Sequence, residues 1–376
     1  MVRRAKRAQP LRLPAPLGRR GSTLAKPVGR PFAAPPALQG GWRRKMRRPP
    51  ASQRPDLPSQ ICRSRAVSSA IERFAAERRR ALEDSGLLAT TAGTCPLQRS
   101  GFELTAKGWR SKAAEILDRA RHLVAYRAWQ GSATQEANGL LTAAAAYVVK
   151  TGIKPTYTSS KRGTFSQYYF TLHKDNQPRP RMSKYFCEHV EVAHELARVL
   201  APVIRLVAGI FRRNFPLLYE YYARTLDYAV RGDASLESLF HPFASFALNV
   251  GEVVCERHLD CTNLGPGLCC IVPFGRYNPS ADCRVGLADL ECEIEVGPGV
   301  PLLIPSAAFT HYNTPLTTQG ACRGSAVFWT GGTLFQFQEL GGRMVSELST
   351  AERHEYQAGR SSRITAGIAR FPKRPF

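Results

Sequence analysis

The sequence predicts an α+β fold, a double-stranded β-helix (jelly roll) with a flanking helical layer and a disordered basic tail at the N-terminus. Three observations predict it. From Phe243 onward the apolar pattern changes from a helical to a strand-like period. Gly265-Pro266-Gly267, Asn278-Pro279, Gly297-Pro298-Gly299 and Gly331-Gly332 cut that region into short segments. The helical patterns gather before it instead of alternating with it, which disfavours a parallel α/β sheet.

Taken in order, residues 1–60 are rich in Pro, Arg and Gly and hold few large apolar side chains, too few to offset the entropy of ordering them. The chain carries a formal net charge of +24, and residues 1–55 hold fifteen Lys or Arg and no acid. The other thirty-eight basic residues face all twenty-nine acids, leaving the body at +9. The run Trp42-Arg43-Arg44-Lys45-Met46-Arg47-Arg48 is the densest basic cluster and reads as a nuclear-import signal or a phosphate-seeking patch. An Arg-rich, acid-free N-terminus also suits a mitochondrial transit peptide. The expected address is intracellular, and nuclear before mitochondrial.

Residues 61–180 read as a helical accessory region. Val67, Ile71, Phe74 and Ala75 fall at helical spacing within Ile61 to Glu83, and Trp109, Ala113, Ile116, Leu117, Ala120 and Val124 repeat that spacing. Leu140 to Lys150 predicts a third helix, and Thr156 to Leu172, centred on Lys161-Arg162-Gly163, a hairpin. Residues 181–345 are expected to form the jelly-roll domain with supporting helices. Phe186 to Val230 is mostly helical, broken near Pro202 and Pro216, and its Tyr219, Tyr221 and Tyr222 are expected to pack helix onto sheet rather than stack bases. Eight strands follow: Phe243–Val250, Val253–His258, Gly267–Gly275, Leu287–Val296, Val300–Ser306, Phe309–Thr314, Cys322–Thr330 and Leu334–Glu339. Residues 346–376 are expected to hold a short helix, opened by Ser349 and Glu352 at capping-box spacing, and then a basic tail.

Ten cysteines without Cys-x-x-Cys spacing point to reduced thiols. No stretch has the apolar length of a membrane span, since Arg198 and Arg205 interrupt the longest candidate. The oligomeric state leaves no trace in the sequence.

The chemistry gathers between His258 and Arg323. His258 and Asp260 stand two apart, so in extended chain both side chains leave one face. His311 follows fifty-three residues later, where a jelly roll can return a strand beside an earlier one. Two imidazoles and a carboxylate give a six-coordinate ferrous ion three ligands and leave three positions open. Arg323 is twelve residues further on, inside an apolar strand where a guanidinium is costly unless a carboxylate meets it. Ser325 points to the same face and offers a second donor.

The segments His258-Leu259-Asp260-Cys261-Thr262-Asn263-Leu264, Val296-Gly297-Pro298-Gly299, Leu303-Ile304-Pro305-Ser306-Ala307, His311-Tyr312-Asn313 and Arg323-Gly324-Ser325 carry a family resemblance. Phe243 to Gly342 resembles the iron(II)/2-oxoglutarate-dependent dioxygenase superfamily. Within it the stretch is similar to the TET/JBP-like group of mushroom-forming fungi, whose better-known relatives oxidise the methyl group of thymine or 5-methylcytosine in DNA. The resemblance implies His258, Asp260 and His311 on Fe(II), Arg323 with Ser325 on the distal carboxylate of 2-oxoglutarate, and Asn249 at its other carboxylate. O2 would be the oxidant and an unactivated carbon, such as the methyl group of a DNA or RNA base, the substrate. Two further readings stand beside this one: a dioxygenase of protein side chains or small metabolites, and an inactive jelly roll that binds nucleic acid through its basic tail.

Overall fold

The computed structural model describes residues 113–375 apart from 119, 161 and 291. The tail expected at 1–60 and the helix expected at Ile61 to Glu83 lie outside the described residues. The fold is α+β. Its larger sheet contains β1 (Ala114–Leu117), β2 (Leu123–Arg127), β3 (Ser166–His173), β4 (Arg181–Met182), β5 (Ser245–Val250) and β6 (Cys269–Arg276). A smaller sheet begins with β7 (Val285–Leu287) and β8 (Cys292–Ile294). The large sheet then gains β9 (Leu302–Ile304), the small one β10 (His311–Asn313), and the large one β11 (Cys322–Trp329). Their orders are β1-β2-β9-β6-β11-β5-β3-β4 and β10-β7-β8, with antiparallel pairing throughout. The large sheet thus draws strands from both sides of residue 180.

The sheet's back is covered by helices whose apolar residues recur at three- and four-residue spacing. In α1 (Ser132–Thr151) these are Ala137, Leu141, Ala144, Ala145 and Val148, and Gly152 ends the helix with a left-handed φ of 73°. A short α2 (Lys184–Glu188) leads into α3 (Val190–Val199), α4 (Ala201–Asn214) and α5 (Pro216–Val230). Ala193, Leu196, Leu200, Val203, Val207 and Phe211 form their continuous buried stripe. Pro202 and Pro216 mark the expected breaks, each in a first turn where no helical N–H is lost. Tyr222 is buried and ties α5 to the sheet, its hydroxyl donating to the Leu268 carbonyl at 2.9 Å and accepting from the Leu268 N–H at 2.8 Å.

Four sequence expectations are corrected. Trp109 to Val124 is not helical where described: β1 and β2 pair there, joined by a turn in which Asp118 accepts from His122 N at 2.7 Å. All five residues of β2 are buried, so its apolar run shows no alternation and coincides with helical spacing. Val253 to His258 forms no regular strand and is held by single bridges, including His258 to His311. Leu334–Glu339 lies in a helix, α6 (Gly332–Glu339), because Leu334, Phe335 and Phe337 suit a buried helical face as well as a strand. Beyond the capping-box helix α7 (Thr350–Ala358) the chain forms α8 (Arg360–Ile368), where a poorly patterned tail was expected.

The turn Val296-Gly297-Pro298-Gly299 fixes α1 against β6. Gly299 N donates to Pro273 O at 2.6 Å, and φ is +77°. A Cβ there would lie 1.8 Å from Thr134 O, a backbone atom of α1. Gly299→Ala is therefore expected to destabilise the fold by about 2–4 kcal/mol, through strain and forced separation together. Chemical denaturation measures this, and a loss below about 0.5 kcal/mol would show that α1 can shift freely.

Candidate metal centre and adjoining cleft

The three expected ligands meet at one point. Antiparallel backbone bonds of 3.0 Å in each direction between His258 and His311 bring the loop after β5 against β10. Asp260 N donates to Ser306 O at 3.0 Å, anchoring the second arm of that loop. Asp260 Oδ1 then lies 3.9 Å from His258 Nε2, and Oδ2 lies 3.9 Å from His311 Nε2. One donor atom from each residue falls within 4.8 Å of the others.

Each imidazole is oriented by its other nitrogen. His258 Nδ1 lies 2.7 Å from Glu256 O and His311 Nδ1 lies 3.0 Å from Phe309 O. A carbonyl only accepts, so both rings carry their proton on Nδ1 and turn an Nε2 lone pair towards Asp260. Burial, and next the neighbouring His311, push His258 down to about 4. For Asp260 burial acts upward, but Arg162 and the facing imidazoles outweigh it and hold the carboxyl below its usual value. His258 is therefore a neutral imidazole and Asp260 a carboxylate at neutral pH, the states a metal ligand needs.

The His258 shift carries a stability prediction. Its folded value lies below the unfolded value near 6.5, so as pH falls through 6.5 towards about 4 the unfolded chain takes up a proton that the folded chain refuses. The metal-free protein should lose up to about 3 kcal/mol across that window. Urea midpoints in chelator at about pH 7 and pH 4.5 should fall further for the parent than for His258→Gln, and equal losses would reject the assignment.

Beside the ligands lies a buried polar pocket. Arg323 is 2% exposed and donates from Nη1 to Val253 O at 2.8 Å, yet Nε has no hydrogen-bond partner among the described residues. No carboxylate among the described residues pairs with it. Asn249 and Ser325 face each other across β5 and β11, Asn249 Nδ2 donating to Ser325 Oγ at 3.0 Å, while Asn249 Oδ1 is buried without a partner among the described residues. His258, Asp260, His311, Arg323, Ser325 and Asn249 all line one space of about 50 Å³. The space is narrow.

Sequence reasoning missed Arg162. Its Nη2 donates to Asp260 Oδ1 at 2.6 Å, and its carbonyl accepts from Glu256 N at 2.8 Å. Gly163 makes the approach possible, since a Cβ there would lie 2.6 Å from Val254 O. Lys161-Arg162-Gly163 showed only as a turn in the sequence, and nothing local ties it to a carboxylate ninety-eight residues later. Gln167 and Tyr169 also reach the pocket from β3, Tyr169 Oη donating to Gln167 Oε1 at 2.8 Å.

A larger cleft of about 860 Å³ adjoins this pocket, and Tyr169 lines both. The two lie on one face of the large sheet. Along β11, Arg323, Ser325 and Val327 line the metal pocket and Trp329 lines the cleft, as the two-residue period of a strand requires.

The chain matches no protein-family model and no curated protein. Among solved structures it is similar to the complex of NgTET1 with 5mC DNA, at 15% identity over 58% of this chain and 76% of that one, with a TM-score of 0.37. It is also similar to OsALKBH1, at 12% identity over 53% and 95% with a TM-score of 0.32. A Pseudomonas putida prolyl-4-hydroxylase is similar at 11% identity over 52% and 86%, with a TM-score of 0.27. Likenesses this distant add nothing to what the sheet topology and the ligand geometry carry.

Proposed function

We propose that this chain is an Fe(II)/2-oxoglutarate-dependent dioxygenase that hydroxylates an unactivated carbon, the methyl group of a nucleic-acid base being its substrate class. The carrying observation is the pairing of two features. His258, Asp260 and His311 present three donors to one point, and a buried Arg323 with an open Nε stands in the same pocket with no acid among the described residues to meet it. The donor set alone would also suit zinc. A buried guanidinium lacking a counter-ion costs several kcal/mol, which a carboxylate-bearing co-substrate would offset.

His258 Nε2, His311 Nε2 and an Asp260 oxygen would hold the iron, and Arg323, Ser325 and Asn249 the two ends of 2-oxoglutarate. When bound, iron and 2-oxoglutarate supply the oxidising chemistry: with O2 and a C–H group they give the alcohol, succinate and carbon dioxide. The chain's own part is positional. Glu256 O and Phe309 O fix the ring tautomers, Arg162 holds one Asp260 oxygen, and the narrow pocket keeps bulk water from the reacting atoms. A base in a duplex must leave the stack to reach such a pocket. The fifteen basic residues of positions 1–55 would hold phosphates without reading sequence, and Arg43 to Arg48 would address the chain to the nucleus. No helix among the described residues is long and apolar enough to cross a membrane.

Succinate formation with Fe(II) and 2-oxoglutarate tests this reading. Methylated oligonucleotides should stimulate it well above the level seen with peptides. Stimulation by peptides alone would move the substrate to a protein side chain, and no succinate under any condition would leave a binding protein.

A further inference from the structure

We infer that the large cleft is a binding channel for single-stranded nucleic acid, lined by aromatic rings of the sheet and by arginines of α8. The inference rests on the proposed base substrate for its purpose, and on the following geometry for its content. The triad pocket and the cleft share Tyr169, so a chain held in the cleft lies beside the pocket.

The sheet-side wall is a row of rings. Tyr157 meets Tyr169 edge to face at 5.5 Å, and Tyr169 meets Trp329 at 5.6 Å. Tyr157 is 51% exposed, where aromatic side chains elsewhere in the fold are mostly buried. Exposed rings beside a cleft are the usual platform for unpaired bases, and base stacking tolerates any sequence.

Another part of the lining is cationic. Arg360 and Arg363 lie one turn apart on α8 and Arg370 just beyond its end, and all three line the cleft. The Arg363 guanidinium sits 3.8 Å over the Tyr356 ring and that of Arg370 sits 4.0 Å over Tyr221, so both planes are held in place before any ligand arrives. Glu339 accepts from Tyr221 Oη at 2.8 Å and lies 3.7 Å from Arg363 Nε, which steadies the array. Asp175, the other carboxylate among the lining residues, lies 2.6 Å from His173 Nδ1. The wall is fixed: a Cβ on Gly367 would lie 2.2 Å from Pro266, so α8 is docked on the loop that follows Asp260, with Ile368 and Phe371 buried beneath.

Stacking on the rings favours a single strand over a duplex. A base can stack on Trp329 or Tyr157 only when its own faces are open, which pairing and stacking within a duplex prevent. An acidic peptide would use the arginines but leave the ring row without partners.

The test uses the full chain without iron or 2-oxoglutarate, so its result is independent of oxygenase activity. A fluorescein-labelled thymidylate strand of about twelve nucleotides is titrated by anisotropy between about 50 and 200 mM salt. Residues 1–55 act alike in every variant, so differences report the cleft. Arg363→Ala with Arg370→Ala should weaken binding about tenfold and flatten the salt slope by about 1.4, two phosphate contacts' worth. The corresponding double lysine variant should keep the slope. Trp329→Phe should remove a ligand-induced quench of tryptophan emission. An unchanged slope in the alanine variant, no Trp329-dependent quench, equal binding of a duplex of the same sequence, or displacement of the strand by a glutamate-rich peptide at lower concentration would each overturn the inference.

Discussion

Replacing His258 or Asp260 with alanine is expected to abolish 2-oxoglutarate turnover, by at least ~10³-fold, while the protein remains folded. The size follows from coordination: two remaining donors cannot hold an iron and its co-substrate in fixed register. Tolerance follows from location. His258 lies in a loop held by single bridges, and the small sheet it touches closes through the backbone pairing of β10, β7 and β8 without its side chain. Asp260→Ala also strips Arg162 of its partner, so a small stability change is expected there and less for His258→Ala. Succinate release and denaturation midpoints measured on the same preparations separate the two effects. Undiminished succinate from either variant would remove these residues from the iron.

Arg323→Ala is expected to raise the 2-oxoglutarate concentration for half-maximal rate by ~10²-fold or more, leaving metal affinity nearly intact. A charge-assisted pair in a buried pocket contributes several-fold more than one at the surface, and Arg323 is 2% exposed. The variant should also be no less stable than the parent without ligand, because it removes a buried cation that lacks a counter-ion among the described residues. Lysine at this position should restore little, since a point charge cannot reproduce the planar fork. Unaltered co-substrate dependence would make Arg323 a structural residue of β11.

The extent to which the site could be read in the sequence follows from which interactions are local. His258 and Asp260 were visible as a pair through their two-residue spacing, although a bridged loop and not a regular strand brings them together. His311 and Arg323 followed because antiparallel strands of a jelly roll must return on one another. Asn249 was visible only through the family resemblance, and its cross-strand pairing with Ser325 gives that a physical reason. Arg162 left no such trace: its link to Asp260 depends on a turn packing against a loop far along the chain. The same limit explains β2 and α6. A strand buried on both faces has no alternation to display, and the buried Leu334, Phe335 and Phe337 serve either period. The helix α8 was missed because its polar face fronts the cleft and only Gly367 and Ile368 are buried within it.

Titration of the metal-free full chain with Co(II), followed by its visible absorption, tests the convergence of the triad most directly. One Co(II) per folded chain should bind, 2-oxoglutarate should then perturb the spectrum in the parent but not in Arg323→Ala, and His311→Ala should lose the saturable phase. Saturable one-to-one binding that survives in His311→Ala and Asp260→Ala alike would place the metal elsewhere and contradict the dioxygenase reading.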